Sequence, residues 1–128
     1  SNIKIDELIV NKGGNDCSDF SGGQYKVNIS NLNYCGDKGI SVGEKSYIEL
    51  NKLFVYNSAI GIASKDSSIS YITDAYFENV NKCMSAYNKK QEFLGGILDL
   101  KKIECKNFLA KLDKDNLSKI IIKEGKFN

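Results

Sequence analysis

The 128-residue chain has no His, Pro or Trp, and all 18 of its Lys+Arg residues are Lys. Proton transfer near neutral pH would therefore fall to Lys, Tyr, Asp or Glu. Lys65 and Tyr87 are separated by 87 − 65 = 22 positions, with Glu44, Lys45, Asp66 and Lys89 at related spacings. Upstream, "NDCSDF" and the residues after it supply Asp16, Asp19 and Asp37. A polysaccharide lyase uses this kind of set: Lys or Tyr removes the proton α to a uronate carboxyl. Lysines or a carboxylate-bound Ca²⁺ then neutralise the charge that develops. A glycosidase instead needs two carboxylates flanking the bond, and only Asp16, Asp19 and Asp37 form a group of that kind. The bland reading of the same residues is a solvated turn whose charges pair, each pair contributing at most about 1 kcal/mol.

What would position these residues is a repeat. Rungs start at Ile3, Tyr25, Tyr47, Ile69, Ile97 and Ile120, giving steps of 22, 22, 22, 28 and 23. The clearest is "YIELNKLFVYNSAIGIASKDSS", and the fourth carries the extra "QEFLGG", which is expected to leave the stack as a loop. Apolar residues fall into columns: Ile5, Ile29, Leu50, Ile72, Leu100; then Leu8, Leu32, Leu53, Ala75, Ile103; then Val10, Tyr34, Val55, Phe77, Cys105; later Ile40, Ile62, Met84. Period-two alternation in short segments, broken by Asn, Gly, Ser and Asp, indicates strands and turns. Only "LAKLDKDNLSKI" offers a short helix, with Leu109, Leu112 and Leu117 as a cap. Asn57, Asn79 and Asn107 share one phase of the repeat, so their amides are expected to hydrogen-bond from rung to rung.

These features predict an all-β, right-handed parallel β-helix of five to six rungs, a single domain over 1–128. A leucine-rich repeat fits Leu50, Leu53 and Val55, but Ser58, Val80 and Phe108 stand where its signature Asn belongs. Stacking places Ser21, Gly43, Lys65 and Tyr87 in one column at a turn. Gly22, Glu44, Asp66 and Asn88 follow in a second, and Gly23, Lys45, Ser67 and Lys89 in a third. Tyr47, Tyr56, Tyr71 and Tyr76 are candidates for stacking on sugar rings.

The rungs "GDKGISVGEKS" and "IGIASKDSS" resemble repeats of the pectate-lyase-like right-handed β-helix superfamily. More narrowly they resemble β-helix regions of bacterial surface or envelope proteins, some of which carry a spore-coat-protein-H-like kinase domain. The resemblance covers residues 2–108 and implies an extracellular or cell-envelope setting, without excluding the cytoplasm. It also implies a surface glycan as partner. The Arg and the Gly-His-Gly-like turn of the superfamily's enzymes have no counterpart here, since the chain lacks Arg and His.

Cys17, Cys35, Cys83 and Cys105 lack zinc spacing. Cys17 and Cys83 share a column three rungs apart, about 14 Å at the sheet spacing, beyond the ~7 Å reach of a disulfide. Free thiols are the expectation. The formal charge of +2 gives no footprint for nucleic acid, and no apolar run reaches membrane-span length. The abrupt first rung points to an upstream β-helix or an oligomer covering it, with this chain as the C-terminal part of a longer protein. The sequence reads as a non-catalytic, carbohydrate-facing scaffold without cofactor or bound metal. Its binding residues would be Glu44, Lys45, Lys65, Asp66, Tyr87 and Lys89. The alternative is a degenerate polysaccharide lyase or glycoside hydrolase, for which alone Ca²⁺ is considered.

Overall fold

The computed structural model describes residues 2–128, and every element in it is a strand: β1 (Asn2–Val10), β2 (Ser18–Ser21), β3 (Gln24–Asn33), β4 (Lys38–Gly43), β5 (Tyr47–Lys65), β6 (Ile69–Tyr87), β7 (Ile97–Lys114) and β8 (Lys119–Phe127). All pairings are parallel, in the order β1-β3-β5-β6-β7-β8, with β2 and β4 supplying the same layer at the start. Each rung hydrogen-bonds to the next, which makes a parallel β-solenoid of about six turns with a 22-residue spacing.

Rung 3 shows how the sequence turns the chain. Leu50 and Leu53 are buried, but Asn51 and Lys52 between them both face solvent, so alternation slips and the first side gives way to the second. Asn57 follows with φ 55°, and Asn79 and Asn107 repeat this left-handed corner on the next rungs. Asn tolerates that conformation better than most side chains. The third side then runs to Lys65 and ends at a left-handed pair, Asp66 and Ser67. Ser46, Ser68 and Ser118 follow the third corners of their rungs; the Ser46 hydroxyl closes its own turn on the Gly43 carbonyl at 2.6 Å.

The amide ladder is present and longer than expected. Asn79 donates to Asn57 (2.6 Å), Asn107 to Asn79 (3.0 Å), and Asn57 to Asn33 (3.0 Å). A second ladder, not foreseen, runs up the first corner: Asn28 donates to Asp6 (3.2 Å) and Asn51 to Asn28 (2.8 Å). Its signal was in the numbering, since 28 − 6 = 22 and 51 − 28 = 23.

Ile40, Ile62 and Met84 stack in the core with no exposure, as the columns predicted. Three expectations need correction. In rung 2 the inward residues are Val27, Ser30 and Leu32, not Ile29, Leu32 and Tyr34. Asn33 pairs with Tyr56 but Lys38 with Ile60, so rung 2 holds one extra residue at its second corner. The Gly22–Gly23 turn beneath is one residue shorter than its successor, because Ser21 pairs with Gly43 but Gln24 with Tyr47. Two glycines at φ 68° and 70° make that tight turn without a Cβ penalty. The last rung likewise starts one residue earlier, Lys119 pairing with Ile97. Finally, the expected helical cap is strand and turn, and Leu109 and Leu117 lie exposed. Strand pairing with the rung below satisfies that segment's backbone, so propensity for a helix loses.

The free-thiol expectation is also overturned. Cys17 is bonded to Cys35 and Cys83 to Cys105, with Cα–Cα distances of 5.1 and 6.4 Å. Cys17 and Cys83 do not pair; each instead reaches one rung up, across the second corner. The column they share holds Gly39 and Gly61 in between. A Cβ at Gly39 would lie 2.7 Å from Val55, and one at Gly61 2.8 Å from Phe77, both inward residues of the rung above. The same approach brings Cys83 onto Cys105, which stands above Phe77.

Candidate functional site

The third corner gathers the charged stripe. Lys65 and Tyr87 are register partners on adjacent rungs, and Ser21 pairs with Gly43 below them. A shallow pocket of about 220 Å³ opens here, lined by Asp19, Ser21, Glu44, Lys65, Asp66, Lys89 and Lys90. Asp66 is fully buried. Its Oδ1 accepts the backbone N–H groups of Lys89 (2.7 Å) and Lys90 (2.9 Å) and the Asn88 amide (3.5 Å). Its Oδ2 is buried without a hydrogen-bond partner.

The insertion forms a loop over 88–96, folded against this corner and not standing free of it. The Asn88 amide donates to the carbonyls of Phe93 and Leu94 at 2.7 and 2.9 Å. Leu94 N–H donates to Ser67 Oγ at 2.8 Å, and Lys45 lies 6.0 Å from the Phe93 ring centre. Gly96 passes directly over the Ser64 carbonyl, leaving no room for a side chain. Lys90 in the loop pairs with Glu44, which also accepts a hydrogen bond from Ser21 at 2.9 Å. Hydrogen bonding from Lys90, then Ser21, holds the Glu44 carboxyl below its ordinary range.

The remaining candidates separate into two places. Asp19 borders the pocket, whereas Asp16 and Asp37 hold Lys38 at the opposite end of the third side. Lys38 Nζ is 2.7 Å from Asp37 and 3.8 Å from Asp16, with only 12% of its side chain exposed. Burial pulls the Lys38 ammonium down, but its bond to Asp37 and the surrounding negative charges outweigh this and raise it. Tyr87 does not line the pocket. Its phenol feels the charges of Lys38, Asp37 and Asp16, so the side chain runs back along the third side, away from Lys65. Burial, above all, pushes that phenol up, with Lys38 opposing.

Chemically, then, Asp16 and Asp37 are engaged with the Lys38 ammonium. Tyr87 is a poor base at neutral pH, because its neutral form is favoured. Among the described residues no cluster of three Asp, Glu or Cys side chains is arranged to hold a metal ion, and no helix is long and apolar enough to cross a membrane. The tyrosines divide between two outer faces. Tyr47 and Tyr71 stand on the first side with ring centres 5.6 Å apart, and Tyr56 and Tyr76 on the second at 6.0 Å. Comparison with models of known protein families, with curated proteins and with solved structures gives no match.

Proposed function

We propose that this chain is a non-catalytic scaffold that presents a carbohydrate-facing surface, and that it works outside the reducing cytosol as part of a bacterial surface or envelope protein of the pectate-lyase-like β-helix type. The observation that carries the carbohydrate reading is the pocket at the third corner, where Lys65 and Lys89 border one opening and suit a sugar carboxylate, with Asp19 and Ser21 beside them for its hydroxyls. Glu44, Lys45 and the loop serve as structure around that pocket. The non-catalytic reading is supported by the engagement of the acid–base candidates: Glu44 with Lys90, Asp16 and Asp37 with Lys38, and Tyr87 in its protonated form. Two disulfides in so small a chain support an oxidising compartment.

The test is a screen of acidic and neutral glycans alongside an assay for unsaturated product from alginate and polygalacturonate, with and without Ca²⁺. The expected result is weak binding of uronate oligosaccharides, reduced in Lys65→Ala and Lys89→Ala, with no product. Turnover that is lost in both Lys65→Ala and Tyr87→Phe would replace this reading with the lyase. Failure to bind any glycan would remove the carbohydrate part of it.

A further inference from the structure

The two disulfides sit in unlike surroundings. Cys83 and Cys105 have no exposure, and the strands that carry them, β6 and β7, pair from Ile69–Ile97 through to Ala86–Lys114. Cys35 is also buried, but its partner Cys17 is only half-buried. Cys17 belongs to the segment 11–23, in which Phe20 is the single buried residue. The one strand of that segment, β2, has four residues and pairs with β4 alone. Cys17 immediately precedes it, so the bridge pins the start of β2 to the second corner of the next rung. The same strand delivers Asp19 and Ser21 to the border of the third-corner pocket, where Ser21 donates to Glu44 at 2.9 Å. We propose that Cys17–Cys35 is a thiol-sensitive latch: a dithiol reductant opens it in the folded protein, β2 loosens, and the pocket loses Asp19 and Ser21. This rests on the carbohydrate reading above for the ligand and adds the regulation of that same site.

The chemistry is thiol–disulfide exchange. One thiolate of the dithiol attacks Cys17 Sγ, the accessible sulfur; the bond between the two Sγ atoms breaks, and Cys35 leaves as a thiolate that takes up a proton. The second thiol of the reductant, as its thiolate, then displaces Cys17 from the mixed disulfide, and Cys17 takes up a proton in turn. The protein bridge is thereby reduced to two thiols and the dithiol is oxidised to a disulfide. Cys83–Cys105 offers no sulfur to the same attack while β6 and β7 stay paired. With the latch open, β2 keeps its short ladder to β4, the Phe20 ring against Tyr25 at 4.9 Å, and the Asp16 contact with Lys38 at 3.8 Å. A short strand with one buried side chain is the kind of unit that opens locally while the rest of a structure holds. Rungs 3 to 5 hold because β5, β6 and β7 pair with one another along their lengths. Lys65 and Lys89 stay in place for a sugar carboxylate, so opening the latch weakens binding by the share of Asp19 and Ser21 and does not abolish it.

The experiment treats the disulfide-intact protein with stepped dithiothreitol under native conditions, quenches each step by alkylation, and maps the modified cysteines. The same samples go to amide hydrogen exchange and to titration with oligomers of alginate and polygalacturonate. Cys17 and Cys35 should react at least about tenfold faster than Cys83 and Cys105, because only Cys17 presents a sulfur near the surface. At the step where the first pair alone is open, exchange should rise over 11–23 and stay slow over β5 and β6, and uronate binding should fall several-fold and return on reoxidation. The double variant Cys17→Ser with Cys35→Ser should behave like that sample without any reductant; the unmutated protein decides the matter if the variant does not fold. Four thiols that react together would overturn the latch. So would a singly reduced protein whose β2 amides exchange as slowly as before, or one that binds uronate as tightly as the oxidised form. If the oxidised protein binds no glycan, the carbohydrate reading falls, and exchange over 18–21 still decides the latch: a rise upholds it and no rise overturns it.

Discussion

Reducing the protein should destabilise it heavily, and by an amount that the topology sets. The two bridges close chain segments with separations of 18 and 22 residues, and the segments do not overlap. In the loop-closure treatment each one removes about 3 kcal/mol of entropy from the unfolded chain. Non-overlapping loops contribute nearly independently, so together they supply about 6 kcal/mol against a total of roughly 5–15 kcal/mol for an ordinary domain. With the typical unfolding entropy per residue applied to 128 residues, each bridge is worth about 12 °C in melting temperature. The two should not open together. Cys83 and Cys105 have no exposure, whereas Cys17 is only half-buried, so mild reductant should open Cys17–Cys35 first and leave the other until the solenoid unfolds. The assay is thermal unfolding by circular dichroism at stepped reductant, paired with alkylation and peptide mass mapping. Reduction of the unmutated protein keeps every side-chain atom in place, so the shift reports the cross-links and not a cavity. Four alkylatable thiols in the untreated native protein, or a melting curve that reduction does not move, would refute the reasoning.

Other predictions concern the core and the outer tyrosines. Ser30 sits in the inward column between Leu8 and Leu53, fully buried with an unpaired hydroxyl, so Ser30→Ala should raise stability by about 1 kcal/mol or leave it level in urea unfolding. A loss above that size would mean that the hydroxyl has a partner. The Tyr76 phenol, which donates to Glu78 at 2.5 Å, is pushed up to about 12, chiefly by that hydrogen bond. Because the folded value lies above the ordinary 10.0, the stabilisation is complete below pH 10 and is lost as pH rises from there to about 12. Phenolate absorbance, referenced to Tyr76→Phe, should show this titration moving down toward the ordinary value in Glu78→Gln; an unmoved curve would dismiss the hydrogen bond as its cause.

The repeat itself fixed much of this molecule before any coordinates. Ile62 and Met84 had to coincide because strand pairing forces equal positions of successive rungs into one column, and Asn57, Asn79 and Asn107 had to meet for the same reason. Spacing is a one-dimensional property, so it reports what lies directly above and below. It fails where one residue is added at one corner and omitted at another, as around Tyr34 and Gly22–Gly23, because the total length hides both changes. It fails as well for contacts across the section. Cys83 and Cys105 occupy different columns and meet only because the second corner folds one side of a rung toward the side of the next. Side-chain direction was the other hidden variable. Lys65 and Tyr87 leave neighbouring positions of one turn, yet only Lys65 borders the pocket, while Tyr87 is drawn along the third side toward Lys38. The register says where a side chain starts; burial and the charges around its far end bear on where it finishes.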